Sequence, residues 1–191
     1  MIPVSIPGTV VDNMAHEAQQ LFCLEVRDKY PDAFKNKRVL DCGSLDINGS
    51  NRYLFDGCTY IGIDLGPGKN VDQISLIHEF TDPEGFDTII STECFEHDMY
   101  WDKSLRNMIG LLRPGGLLLF TCAAPGRGEH GTKRTSPRDS PFTCEREVWC
   151  DYFRPLRVED VSQAIELPNG FASYHIIQQG QDLQFYGVKK S

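Results

Sequence analysis

A short stretch near the middle of the chain carries the residue types that acid–base or metal chemistry requires. Residues 93–97 read Glu-Cys-Phe-Glu-His, so Glu93, Glu96 and His97 would lie on one side of a helical turn if one begins there. Two carboxylates and an imidazole can bind a divalent ion, and mixed oxygen and nitrogen ligands suit Mg²⁺, Mn²⁺ or Zn²⁺. The stretch therefore predicts either a metal site or a histidine that acts as a general base, since imidazole titrates near neutrality.

A second histidine, His130, follows in a segment rich in turn-forming residues. Residues 124–143 begin with four prolines or glycines in eight positions and then become polar, which predicts a long loop. A structureless stretch of about 20 residues inside a compact domain is usually functional or disordered. We expect this loop to serve the substrate, with His130 as a candidate general base.

The same part of the chain is locally basic, although the whole chain carries a net charge of −8. Residues 121–157 hold seven basic and five acidic side chains. Their arginines and lysines could bind a phosphate or carboxylate of the substrate, or form an ordinary mixed surface. The overall negative charge argues against a protein that binds nucleic acid by charge alone.

The elements that must position these residues alternate between short apolar strands and helices. Strands are predicted over residues 38–41, 59–64, 71–74, 86–92 and 117–123, followed by a hairpin over 172–178 and 183–189. Helices are predicted over about 11–29, 50–54, 100–113 and, with Thr143 as the N-cap, 143–153. Short apolar strands that alternate with helices are typical of a parallel sheet covered on both faces.

Length and composition indicate one globular domain over residues 1–191. The chain is 40% hydrophobic and 24% charged, and its apolar runs are far shorter than the ~20 residues that a membrane span requires. Seven cysteines without a Cys-x-x-Cys pair argue against a disulfide framework and favour the cytoplasm. We expect an N-terminal helix (11–29), a ligand-binding core (38–123), a substrate loop (124–143) and a C-terminal helix and hairpin (144–191).

Ligands of an open α/β sheet bind at the carboxyl ends of its strands. Here those ends carry Asp41, Gly43, Asp64, Thr92 and Glu93. A carboxylate after the second strand suits the two hydroxyls of a ribose, and a glycine turn lets backbone amides approach a ligand closely. Because the chain lacks both GxGxxG and a P-loop, it favours a nucleoside ligand without phosphates.

At this point the chain resembles the class I S-adenosylmethionine-dependent methyltransferases, within the group called type 11. Four segments carry the resemblance, in order over residues 38–123: VLDCGSLDINGS, YIGIDLGPGKNVD, FDTIISTECFEH and LLRPGGLLLF. The first departs from the family's common DxGxGxG after Gly43. The resemblance implies a Rossmann-like fold with a seven-stranded, mostly parallel sheet, an antiparallel C-terminal hairpin and helices on both faces.

The resemblance also implies cofactor contacts along the strand ends. Asp41 and Gly43 would flank the methionine moiety of S-adenosylmethionine, with Ser44 nearby. Asp64 would bind the ribose hydroxyls and Leu65 would pack on the adenine.

Three more positions complete the implied cofactor site. Ser75 and Leu76 would lie near the adenine edge, and Thr92 would close the pocket. The E-x-x-E-H spelling of residues 93–97 is similar to the metal-binding motif of ubiquinone-pathway O-methyltransferases and small-RNA 3′-end 2′-O-methyltransferases. In the latter group a downstream histidine completes the ligand set, a part that His130 could take here.

The predicted function is methyl transfer from S-adenosylmethionine to a hydroxyl of a small molecule or sugar, with Glu96, His97 and His130 as catalytic residues. The chain lacks the Pro-Cys and [N/D]PP[Y/F] motifs of base methyltransferases at residues 92–95, which favours hydroxyl acceptors. Three alternatives stay open: an RNA 2′-O-methyltransferase with a metal site, a non-catalytic S-adenosylmethionine-binding protein, and a nucleotide-dependent oxidoreductase.

Overall fold

The computed structural model describes residues 17–191, so the helix predicted over 11–29 can be followed only from Glu17, and its earlier residues lie outside the described ones. The described part is Glu17–Lys29, which ends two residues before Pro31. Phe22 and Val26 on its inner face are buried, as an amphipathic helix requires.

Seven strands and five α-helices make up the regular structure of residues 17–191. The strands are β1 (Arg38–Cys42), β2 (Thr59–Asp64), β3 (Gln73–Ile74), β4 (Phe86–Thr92), β5 (Leu112–Ala123), β6 (Phe171–Gln179) and β7 (Asp182–Lys189). The helices are α1 (Glu17–Lys29), α2 (Trp101–Leu111), α3 (Pro141–Cys144), α4 (Val158–Ala164) and α5 (Leu167–Gly170). The element predicted over 50–54 is a 3₁₀ turn, Asn51–Leu54.

All seven strands form one sheet in the order β3-β2-β1-β4-β5-β7-β6. The first five strands are parallel, and β7 runs antiparallel to both β5 and β6. The chain therefore leaves β1 toward β2 on one side and returns as β4 on the other. This switch point opens a crevice at the carboxyl ends of β1, β2 and β4. The predicted fold class is confirmed.

Successive strand residues point to opposite faces, and both faces are covered. Leu40 and Ile89 are fully buried in one hydrophobic cluster, which also takes in Leu105 of α2. Their neighbours Val39 and Ile90 are fully buried in a second cluster, under α1. The sheet is thus sandwiched between α1 on one side and α2 on the other, which fixes the strand ends where the cavity opens.

The prediction of a helix over residues 143–153 is wrong. Helix α3 comprises only Pro141–Cys144, and Ser140 rather than Thr143 precedes it. The Thr143 hydroxyl donates back to the Ser140 carbonyl instead of capping a new helix. Beyond α3 the chain folds into tight turns, and Trp149 is buried there.

Among the described residues, no helix combines the length and hydrophobicity needed to cross a membrane.

Candidate functional site

A cavity of about 370 Å³ opens at the carboxyl ends of β1, β2 and β4, a size usual for small-molecule sites. Most of the residues predicted for the site line it: Asp41, Gly43, Ser44, Asp64, Leu65, Ser75, Thr92, Glu93, His97 and His130. The substrate loop contributes as well, through Arg127 and residues 139–143, and Gln19 of α1 completes the wall.

The turn after β1 is fixed by its glycine. Gly43 has a φ of +77°, and an added Cβ would lie 2.6 Å from Sγ of Cys94. The amides of Gly43 and Ser44 both donate to the carbonyl of Ile63, at 2.9 and 3.0 Å. The turn is therefore tied to β2 and runs close to the segment after β4, which only a glycine permits.

Asp41 is a buried carboxylate, and one of its two oxygens has no hydrogen-bond partner among the described residues. Its Oδ2 accepts a 2.6 Å hydrogen bond from the Tyr60 hydroxyl, whereas Oδ1 is buried and finds no partner in the part of the chain that the structure describes. Burial raises the pKa of Asp41 to about 7, and the nearby charge of Asp64 acts in the same direction. A cationic group from a ligand would satisfy Oδ1 and favour the ionised carboxylate.

Asp64 lies at the end of β2, where its carboxylate organises the rim of the cavity. Its Oδ2 accepts from the amide of Leu45 at 3.0 Å and its Oδ1 from the amide of Leu65 at 2.7 Å. Burial raises the pKa of Asp64, and these two amides partly offset that effect. Each oxygen keeps a second lone pair, so the carboxylate can still accept from the two hydroxyls of a ribose.

The segment after β3 contributes to the wall of the cavity. Ser75 lines the cavity, and its amide donates to the Asp64 carbonyl at 2.9 Å. Leu76 is not among the described residues that line the cavity, whereas Ile77 and His78 are. A contact of Leu76 with the adenine edge stays a prediction; a 3₁₀ turn begins directly after it, at Ile77.

Two amide side chains beside Thr92 belong to the site but were not predicted from the sequence. Gln19 donates to Asn51 at 3.2 Å, and Asn51 donates to Oγ1 of Thr92 at 2.9 Å. Both amide side chains are buried and line the cavity. The one available signal was a glutamine on the apolar face of α1, where a buried polar side chain requires a partner.

Three of the four predicted metal ligands meet in space. Glu96, His97 and His130 each place one possible ligand atom within 4.8 Å of the other two. Oε1 of Glu96 accepts from the amide of Ala123 at 3.1 Å, but its Oε2 is buried and has no hydrogen-bond partner within residues 17–191. The same holds for the buried Nδ1 of His97. Buried polar atoms without partners are rare, and such atoms often mark a binding site.

The protonation states of the two histidines follow from their surroundings. Burial lowers the pKa of His97 to about 3, and the nearby His130 adds to this shift, so His97 is neutral near neutral pH. Nδ1 of His130 lies 3.0 Å from the carbonyl of Gly128, which can only accept. In the tautomer that this contact favours, the proton lies on Nδ1 and Nε2 keeps a lone pair. Burial also raises the pKa of Glu96, and the charge of Glu93 adds to it.

Glu93 does not join this cluster, so the prediction that it does is wrong. It follows β4 with a φ of +50°, and no α-helix begins at this point. Its carboxylate instead accepts from the Thr121 hydroxyl at 2.8 Å and lies 3.6 Å from the guanidinium of Arg127. Glu93, Glu96 and His97 would lie on one side only in a continuous helical turn, which the left-handed conformation of Glu93 prevents.

The locally basic segment does not present its charges to the cavity. Arg127 is the only arginine or lysine among the described residues that line it, and this guanidinium contacts Asp182 as well as Glu93. Arg134 pairs with Glu129 at 3.0 Å on the surface. Of the two interpretations of the basic residues, the structure favours an ordinary mixed surface over a phosphate-binding or carboxylate-binding one.

Comparison with known proteins is consistent with this arrangement. A family model described as a methyltransferase domain matches residues 14–166. The search among curated proteins found no match.

Solved structures with the same fold include several methyltransferases. N-methyltransferase NodS from Bradyrhizobium japonicum WM9 is 17% identical, with a TM-score of 0.54 over 90% of this chain and 98% of that one. The 1,6-didemethyltoxoflavin-N1-methyltransferase of Burkholderia thailandensis, solved with S-adenosylhomocysteine, is 14% identical, with a TM-score of 0.56 over 99% and 94%. The phosphoethanolamine N-methyltransferase 2 of Haemonchus contortus, solved with S-adenosyl-L-methionine, is 16% identical, with a TM-score of 0.62 over 88% of this chain and 52% of that one.

Proposed function

Since the chain belongs to the methyltransferase-domain family and is an S-adenosylmethionine-dependent methyltransferase, we propose that its acceptor atom is a hydroxyl oxygen of a small molecule or sugar. The acceptor would meet the methyl group beside the cluster of Glu96, His97 and His130. This cluster is the observation that carries the proposal. Oε2 of Glu96 and Nδ1 of His97 are buried without a hydrogen-bond partner among the described residues, and the imidazole of His130 beside them has a lone pair that can take up a proton.

The cavity fits the cofactor in three places. Oδ1 of Asp41 suits the cationic amino group of the methionine moiety, and the carboxylate of Asp64 suits the ribose hydroxyls. Leu65 and Ile77 provide an apolar wall for the adenine. When bound, the cofactor supplies a methyl group on a sulfonium, which a deprotonated oxygen attacks.

The proton of the acceptor hydroxyl is taken up by this chain. Nε2 of His130 has a lone pair and accepts that proton, while the Gly128 carbonyl receives the Nδ1–H and stabilises the imidazolium that forms. His97 is neutral and buried beside it, with ring centroids 4.9 Å apart, so it adds no charge that would oppose this step.

Alternatively, the same cluster fits a divalent ion, which would use the lone pair on Nε2 of His130 and so replace that ring as the base. Glu96, His97 and His130 would hold it, and the two buried atoms without partners would then be satisfied. With Glu93 bound elsewhere, the set is two imidazoles and one carboxylate, which suits Zn²⁺ or Mn²⁺ better than Mg²⁺. Such an ion would supply Lewis acidity toward the acceptor hydroxyl.

The test is a methyl-transfer assay with radiolabelled cofactor on a panel of sugars, alcohols, amines and RNA, with and without chelator, and with the methylated atom identified by mass spectrometry and NMR. We expect O-methyl products, a loss of at least about 100-fold for His130→Ala, and little change for the control His175→Ala on the exposed strand β6. Activity abolished by chelator and restored by Zn²⁺ or Mn²⁺ would assign the activation to the ion. Methylation on nitrogen or carbon would contradict the proposal.

We also propose that the protein works in a reducing, cytoplasmic environment, since all seven cysteines are free thiols. The RNA alternative is less favoured, because Arg127 is the only arginine or lysine that residues 17–191 bring to the cavity, and two carboxylates engage that side chain.

A further inference from the structure

Helix α3 of the substrate loop contacts the strand end that holds Asp64. The ring of Phe142 lies against Gly66, two residues beyond β2, so closely that an added Cβ would come within 2.4 to 2.6 Å of three ring atoms. Gly66 does not have a positive φ, so its backbone would tolerate a side chain. The glycine therefore matters here for the space it leaves to the ring.

The position of the ring is set by its own short helix. Pro141 starts α3, and the hydroxyls of Ser140 and Thr143 are 2.7 Å apart, with Thr143 also donating to the Ser140 carbonyl at 2.9 Å. Thr143 is buried, whereas Phe142 is only half-buried. The loop thus holds an aromatic ring in place at the cavity with part of its surface uncovered.

Two other apolar side chains line the cavity together with the ring of Phe142. They are Leu65, which precedes Gly66, and Ile77. The carboxylate suited to the ribose, Asp64, stands directly before Leu65 in the chain. A flat heteroaromatic base attached to that ribose would therefore lie between these apolar side chains, where an aromatic ring can stack on it.

We propose that Phe142 packs on the adenine of the cofactor, so that the loop after β5 forms part of the cofactor site as well as the wall of the acceptor site. None of the four sequence segments that carry the family resemblance contains this residue. The proposal does not depend on whether the acceptor is a hydroxyl. It implies that the cofactor helps to order the loop that lines the acceptor side, so the acceptor binds more tightly after the cofactor has bound.

The test is calorimetric titration with S-adenosylhomocysteine and with 5′-methylthioadenosine, which keeps the adenine and ribose but lacks the amino acid. We expect Phe142→Ala to weaken both ligands by about tenfold, the order of one base–aromatic stack. Gly66→Ala should weaken both as well, because the new methyl group displaces the ring. The double variant should bind no worse than Phe142→Ala, since without the ring the methyl group displaces nothing.

Two further variants keep the test decisive. Phe142→Tyr retains the flat ring and should bind both ligands within about twofold of the wild type. Val148→Ala removes an exposed apolar side chain six positions further along the chain and should change nothing. If Phe142→Ala does not fold, as judged by circular dichroism, Gly66→Ala carries the test. Wild-type affinity in a folded Phe142→Ala or Gly66→Ala protein, or a loss confined to S-adenosylhomocysteine, would overturn the proposal.

Discussion

The affinity for the cofactor should depend on pH through Asp41. Burial raises the pKa of this carboxyl to about 7, and its Oδ1 has no hydrogen-bond partner among the described residues. If the amino group of the methionine moiety binds there, binding requires the ionised carboxylate. The protein must then release a proton whenever it binds the cofactor at a pH below about 7.

The size of the effect follows from the pKa. With a pKa of about 7, about one Asp41 in eleven is ionised at pH 6 and about ten in eleven at pH 8. The affinity for S-adenosylhomocysteine should therefore rise about tenfold between these pH values, or about 1.4 kcal/mol. In the ligand-free protein the sign is opposite. The raised pKa favours the folded state at low pH, and this contribution is lost as the pH rises through about 7.

Two variants separate Asp41 from other titrating groups. Asp41→Asn removes the carboxyl, so the affinity should lose its rise between pH 6 and pH 8. Tyr60→Phe removes the hydrogen bond that lowers the pKa of Asp41, so the rise should move to higher pH. The assay is isothermal titration calorimetry at each pH in two buffers of different ionisation enthalpy, which counts the protons released. A pH-independent wild type, or a wild-type slope in Asp41→Asn, would refute the reasoning.

Three further outcomes are expected. Arg127→Met should lower the free energy of unfolding by about 3 kcal/mol in urea titrations, because it breaks the buried ion pair with Asp182. The control Arg134→Met, at an exposed ion pair, should lower it by less than about 1 kcal/mol. Equal losses would contradict the difference in burial between the two pairs. Gly43→Ala should cost at least about 1 kcal/mol in the same assay, since its φ is +77° and its Cβ would meet Cys94; unchanged stability would count against the described turn. Glu96→Gln should weaken Zn²⁺ or Mn²⁺ binding at least about tenfold in metal titrations, and equal affinity would remove Glu96 from the ligand set.

The centre of the sheet could be predicted because its inner strands are apolar on both faces. The residues from Phe86 to Thr92 are almost all buried, and a short run of that kind between turn signals is typical of a central parallel strand. The strand ends follow directly from these strands, so the sequence alone predicts that Asp41, Asp64 and Thr92 lie at the cavity, where the structure has them. These positions depend on local pattern and on one general rule of sheet topology.

The rest of the site depends on contacts between distant segments. The left-handed conformation of Glu93 is uncommon for a residue other than glycine, and it turns the carboxylate toward Thr121 and Arg127, 28 and 34 positions away. Phe142 meets Gly66 across 76 positions. No periodicity or spacing within a short window encodes such contacts, so the sequence does not distinguish Glu93 from the residues that meet in the cluster of Glu96, His97 and His130.

The most direct test of the central claim, that the cavity at the strand ends binds S-adenosylmethionine through Asp64, is calorimetric titration with S-adenosylhomocysteine. We expect micromolar binding, about −8 kcal/mol, at least tenfold weaker in Asp64→Ala, and no binding of NADH. A folded protein that does not bind S-adenosylhomocysteine, or that binds it equally well without the Asp64 carboxylate, would contradict the claim.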